Sequence, residues 1–127
     1  MITLFQKQQL LLDRTSLVFK RYLYNQLPWG SRMLGLIGPR GVGKTTMILQ
    51  YIKERKSQDI LYVSADDLYF SNRTLIDLAD EFYKNGGKQF FIDEIHKYKN
   101  WSIELKNIYD FYPDLNVCFT GSSILDI

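Results

Sequence analysis

The 127-residue sequence is poor in the residues that staple or interrupt a chain: it has one cysteine, Cys118, and three prolines. A single thiol has no internal partner, so no intrachain disulfide is expected, and a reducing, cytoplasmic setting is the default. So few prolines, with only eight glycines, exclude collagen-like and low-complexity chains. No apolar run approaches the roughly 18 residues that a membrane span requires, so no membrane partner is expected. The opening Met1-Ile2-Thr3-Leu4-Phe5-Gln6-Lys7 lacks the basic-then-apolar order of a secretion signal. Neither an internal repeat nor a Gly/Ser-rich linker divides the chain, which predicts a single domain over residues 1–127. An apolar fraction of 46% gives that domain the means to build a core.

The net charge of +2 conceals a split: residues 1–56 carry +8 and residues 57–127 carry −6. A basic region of this kind suits an anion, either nucleic acid or the phosphates of a nucleotide, or else forms solvated helix faces.

Residues 3–12 and 16–27 read as two helices broken around Asp13-Arg14-Thr15, with Ser16 as the N-cap of the second. Pro28-Trp29-Gly30-Ser31 is turn chemistry. The short apolar runs Met33–Ile37, Ile60–Ser64, Gln89–Ile92 and Asn116–Thr120 read as strands, separated by periodic helical segments. Such alternation predicts an α/β fold with a parallel sheet covered on both faces. Ligands in these folds sit beyond the carboxyl ends of the strands, so those ends deserve inspection.

The first strand runs into Gly38-Pro39-Arg40-Gly41-Val42-Gly43-Lys44-Thr45-Thr46, which matches the phosphate-loop pattern G-x-x-x-x-G-K-[ST] without departure. Its glycines let successive N–H groups face one anion, at the positive end of the following helix. Lys44 suits the β- and γ-phosphates, and the Thr45 hydroxyl suits the Mg²⁺ that bridges them. The third strand ends in Asp93-Glu94, a Walker B arrangement in which Asp93 holds the Mg²⁺ and Glu94 orients the attacking water. An Asn/Thr-Lys-x-Asp guanine-reading motif is absent, since Lys97-Tyr98-Lys99-Asn100 lacks the aspartate, so ATP is favoured over GTP. The fourth strand stops at Thr120-Gly121-Ser122-Ser123. Thr120 or Ser122 there reads either as a sensor hydroxyl for the γ-phosphate or attacking water, or as part of an ordinary turn. Asp66 and Asp67 read as a helix N-cap rather than as water or magnesium ligands.

Taken together, the phosphate loop, Tyr62-Val63-Ser64-Ala65-Asp66-Asp67, Phe91-Ile92-Asp93-Glu94-Ile95-His96-Lys97, Asn100-Trp101 and Thr120-Gly121-Ser122-Ser123 resemble the AAA-type ATPase family usually joined to a DUF4143 domain, related to archaeal ATPases within the ASCE division of P-loop proteins. The resemblance covers roughly residues 30–127, with residues 1–29 as N-terminal helices. It implies a three-layer α/β/α sandwich, Mg·ATP as ligand, ATP hydrolysis, and a strand order that inserts the Thr120 strand between the phosphate-loop strand and the Asp93 strand. It also implies a fifth strand and an arginine-bearing stretch after the sensor, which this sequence lacks. The expectations are a chain cut short at its C-terminal end, a first strand at the sheet edge that is liable to self-association, and weak turnover. His96 is read as a surface histidine rather than a phosphate contact. Lys44, Glu94 and Thr120 are the expected catalytic residues, Gly38–Thr46 the nucleotide-binding segment, and Thr45 and Asp93 the metal ligands. The alternative is a nucleotide-dependent binding module with little hydrolysis, acting on nucleic acid through Lys7, Arg14, Lys20, Arg21 and Arg32 interleaved with Phe5, Phe19, Tyr22 and Tyr24.

Overall fold

The computed structural model describes residues 3–39 and 41–122. Four parallel strands form one sheet: β1 (Met33–Gly38), β2 (Ile60–Ser64), β3 (Gln89–Asp93) and β4 (Asn116–Ser122), in the spatial order β1-β4-β3-β2. The α-helices among the described residues are α1 (Leu4–Asp13), α2 (Lys44–Arg55), α3 (Leu75–Lys84) and α4 (Trp101–Phe111). No helix among the described residues is long and apolar enough to cross a membrane.

Strand alternation decides which residues face which layer. Leu36, Ile60, Tyr62, Phe91 and Cys118 point to one side and pack with Met47, Ile48, Tyr51 and Ile52 of α2. Leu61, Val63, Phe90, Ile92 and Val117 point to the other side and pack with Leu75, Leu78, Ala79 and Phe82 of α3 and Leu105 and Ile108 of α4. The result is the three-layer sandwich expected from short strands apolar through their length.

Local chemistry sets the helix starts. Thr3 with Gln6, and Thr74 with Asp77, form reciprocal capping boxes at α1 and α3. The α1 helix has a second task at the β2 edge. The buried Gln8 amide donates from Nε2 to the Ile60 carbonyl (3.1 Å) and accepts at Oε1 from the Tyr62 N–H (2.9 Å). One side chain therefore supplies both the donor and the acceptor that a further strand would bring, and this edge is closed. At the opposite edge β1 pairs with β4 alone among the described residues, as the sequence implied.

The second expected N-terminal helix does not form. Residues 15–21 are irregular, with a bend at Val18, and Tyr22–Gln26 makes a short 3-10 turn. Ser16 caps no helix; its carbonyl, with that of Phe19, accepts from Gln50 Nε2 (3.0 and 2.7 Å), and Lys53 Nζ donates to the Thr15 carbonyl (2.6 Å). Side chains of α2 thus satisfy carbonyls that a helix would have satisfied internally, and the segment becomes a strap along α2. Lys20 and the Tyr24 hydroxyl both bind Glu54, and Trp29 stacks on Tyr51 with ring centroids 4.6 Å apart.

Part of the basic-aromatic stripe read from the sequence is committed internally, while Phe5, Phe19 and Tyr22 stay exposed. Lys7 pairs with Asp67 (2.9 Å), Lys20 with Glu54, and Arg32 stacks on Tyr109 (4.0 Å), while Tyr24 is buried.

Candidate nucleotide-binding site

The carboxyl ends of the strands meet in a cleft of ≈ 380 Å³ lined by Gly41, Val42, Gly43, Lys44, Thr45, Thr46, Asp93, Glu94, His96, Lys97, Thr120, Gly121 and Ser122. Strand register brings them together. Gly38 lies opposite Ser122, Leu36 opposite Thr120, Ile92 opposite Phe119, and Ser64 opposite Asp93. The phosphate loop leaves β1 and turns at Gly41 (φ 84°) and Gly43 (φ 82°), conformations that L side chains rarely adopt. Gly43 is the N-cap of α2, so the positive end of that helix opens into the cleft. Lys44 Nζ folds back over the loop and donates to the carbonyls of Gly38 (2.7 Å) and Pro39 (2.9 Å). Gly38 and Pro39 thus support the lysine without lining the cleft. Arg40 and Ser123 lie outside the described residues.

Asp93 is 4% exposed and takes hydrogen bonds from three hydroxyls. Thr45 Oγ1 and the Tyr62 hydroxyl both donate to Oδ2 at 2.7 Å, and Thr120 Oγ1 donates to Oδ1 at 2.5 Å. The three hydroxyls come from α2, β2 and β4, so one carboxylate ties three elements to the end of β3. Burial first, and the Asp93 carboxylate second, push the Tyr62 phenol well above its ordinary range and keep it a donor. Burial likewise pushes the nearby Cys118 thiol up to about 12, which makes it an inert core residue.

Glu94 stands in a different environment. Its backbone is left-handed (φ 54°, ψ 50°), a conformation that costs a non-glycine residue about 1–2 kcal/mol. The turn is held by the Glu94 N–H donating to Thr120 Oγ1 (2.8 Å). Its half-exposed carboxylate meets Lys97 Nζ at 3.2 Å, and the same ammonium meets Asp66 Oδ2 at 3.2 Å. The Ser64 hydroxyl, followed by Lys97, holds the Asp66 carboxyl below its usual range.

Several sequence expectations change here. The Thr120 hydroxyl, 1% exposed, lines the cleft and is bonded to Asp93 and to the Glu94 backbone. His96 is not a surface histidine. It lines the cleft, its Nδ1 accepts from the Ser122 N–H (3.3 Å), and its Nε2 is buried without a partner among the described residues. The cap reading holds for Asp67, which accepts from the Tyr69 N–H (2.8 Å) at the start of a 3-10 turn, whereas Asp66 joins Lys97. Tyr62 and Lys97 were not singled out by the sequence. A tyrosine in an otherwise aliphatic buried strand was the one available signal for Tyr62, and a lysine three residues after Glu94 the one for Lys97.

Comparison with known proteins agrees with this geometry. Residues 30–127 match the family model described as AAA domain. The uncharacterized protein MJ1637 of Methanocaldococcus jannaschii is similar, at 31% identity over 103 residues, covering 72% of this chain and 22% of that protein. The chain thus spans about a fifth of that relative's length. With the family model covering more than three-quarters of its residues, on a parallel sheet that ends in a phosphate loop, the chain belongs to the AAA-domain family of nucleotide-binding proteins.

Proposed function

We propose that the chain binds Mg·ATP in this cleft and hydrolyses it, with Glu94 orienting the attacking water. The observation that carries the reading is the 2.7 Å hydrogen bond from Thr45 Oγ1 to Asp93 Oδ2, which joins the phosphate loop to the acidic strand end. These two oxygens suit Mg²⁺, which takes one or two protein oxygens and completes its shell with water and phosphate. When bound, the ion neutralises charge on the β- and γ-phosphate oxygens.

The chain's own residues supply the rest. The N–H groups of the Gly41–Thr46 turn cradle phosphate oxygens at the start of α2. Lys44 exchanges its two loop carbonyls for the β- and γ-phosphates. Glu94 accepts a hydrogen bond from water and takes its proton as the γ-phosphate is attacked. Thr120 acts through the acidic pair as a positioning residue, fixing the Asp93 carboxylate and the Glu94 turn.

The reading is tested by ATP and GTP binding and hydrolysis in the wild type, Lys44→Ala and Glu94→Gln. Lys44→Ala should lose binding. Glu94→Gln should keep binding and lose about 10²–10⁴ in turnover, the usual contribution of a positioned base. Wild-type hydrolysis by both variants would overturn the assignment.

A second reading, nucleotide-dependent binding with little hydrolysis, is favoured by one observation: the Glu94 carboxylate is shared with Lys97. Saturable ATP binding with no phosphate release from the wild type would select it. We also propose self-association through the unpaired outer edge of β1; a concentration-independent monomer mass in solution would remove that part.

A further inference from the structure

Gly43, the glycine immediately before Lys44, has no room for a side chain. A Cβ placed on it would lie 2.5 Å from Arg21 Nε, 3.1 Å from Cδ and 3.3 Å from Cζ. The guanidinium of a residue 22 positions earlier in the chain therefore rests on the phosphate loop itself, at the N-cap of α2. We infer that Arg21 is a second cation of the nucleotide site, contributed by the strap, and that it contacts the phosphate chain beside Lys44.

Three observations support this. First, the strap is held in place on both sides of Arg21. Thr15, Ser16 and Phe19 are bound through their carbonyls by Lys53 and Gln50, and Lys20 and Tyr24 are bound through their side chains by Glu54. All the α2 partners lie in its second half, so these bonds anchor the strap there, while the Arg21 side chain reaches the other end of the helix at Gly43.

Second, the Arg21 side chain has no carboxylate or carbonyl partner among the described residues, and it is exposed. The adjacent Lys20 is committed to Glu54. A cation laid against a helix N-terminus gains nothing from its positive partial charge; an anion between them makes the arrangement favourable. Third, the chemistry is suited to the ligand, because a guanidinium can donate two parallel hydrogen bonds to one phosphate where an ammonium acts as a point charge.

This inference rests on the nucleotide reading of the cleft, and the test separates the two. Binding of Mg·ATP, Mg·ADP, AMP and adenosine is measured by calorimetry for the wild type, Lys44→Ala, Arg21→Gln and Arg21→Lys. Arg21→Gln should weaken Mg·ATP and Mg·ADP by about ten- to a hundred-fold, the range for one charge-assisted hydrogen-bonding group, and leave adenosine unchanged. Arg21→Lys should recover part of the loss. If Lys44→Ala binds ATP as the wild type does, both the cleft reading and the Arg21 inference fall. If Lys44→Ala loses binding while Arg21→Gln binds as the wild type does, the cleft reading stands and Arg21 is not a ligand. An equal loss for ATP and adenosine would mean that Arg21 serves only to seat the strap, which also overturns the inference. Should Arg21→Gln fail to fold, Arg21→Met keeps the apolar stem and carries the same comparison.

Discussion

Asp93 and Glu94 are adjacent carboxylates at the end of one strand, yet they occupy opposite kinds of environment. Asp93 is buried and satisfied by hydroxyls from α2, β2 and β4. Glu94 sits on a left-handed turn, half exposed, and its carboxylate meets Lys97 alone among the described residues. One is a fixed joint between elements; the other is a side chain whose position one exposed ion pair can change. The difference shows that an acidic pair divides its work by context: the buried member orders the scaffold and the half-exposed member remains available for chemistry.

The largest effect that would sharpen this contrast is expected at Thr120, which serves both carboxylates. Thr120→Val removes a donor from buried Asp93 and the acceptor of the Glu94 N–H. It should cost about 2–3 kcal/mol in urea unfolding, within the range for leaving buried polar groups unpaired. A loss under about 0.5 kcal/mol would mean that the two sites are not coupled through this hydroxyl.

Tyr62→Phe should cost less, about 1–1.5 kcal/mol, because Asp93 retains two other donors. Its pH signature is more informative. The Tyr62 pKa is raised on folding, so its contribution is fully present below the unfolded value near 10 and is lost as pH rises beyond it. Tyr98, pushed up to about 12 by burial and then by Glu104, acts in the same direction. Unfolding measured between about pH 9 and 12 should show stability falling above pH 10 in the wild type, and falling less steeply in Tyr62→Phe. Identical slopes in the two proteins would show that Tyr62 is not held protonated by its site.

The smallest effect belongs to the Glu94 side. Lys97→Met should leave the urea unfolding midpoint essentially unchanged and turnover within about five-fold, since exposed ion pairs contribute little. A stability loss as large as that of Thr120→Val would abolish the distinction between the two carboxylates.

The strands, the phosphate loop and the acidic pair were legible in the sequence because each depends on local pattern. An apolar run of five residues fits a buried strand, and G-x-x-x-x-G-K-[ST] leaves the backbone few other uses. The helix expected over residues 16–27 was misread for the opposite reason. Its apolar stripe was loose, and the carbonyls of Thr15, Ser16 and Phe19 found donors on Lys53 and Gln50, more than thirty residues away. Local propensity cannot compete when distant side chains satisfy the backbone. His96 was misplaced similarly, because its distance from the surface depends on β4 lying beside β3.

The sequence by itself determined an α/β domain with a phosphate loop and two carboxylates at a strand end, because residue type and spacing alone specify those features. Only the tertiary structure decided how they are used. Strand order put Thr120 between Asp93 and Glu94, register put the Tyr62 hydroxyl on Asp93, and the strap put Arg21 on Gly43. Each of these joins residues at least 22 positions apart, and such contacts exist only once loop closure has been offset by burial of the two cores on either side of the sheet.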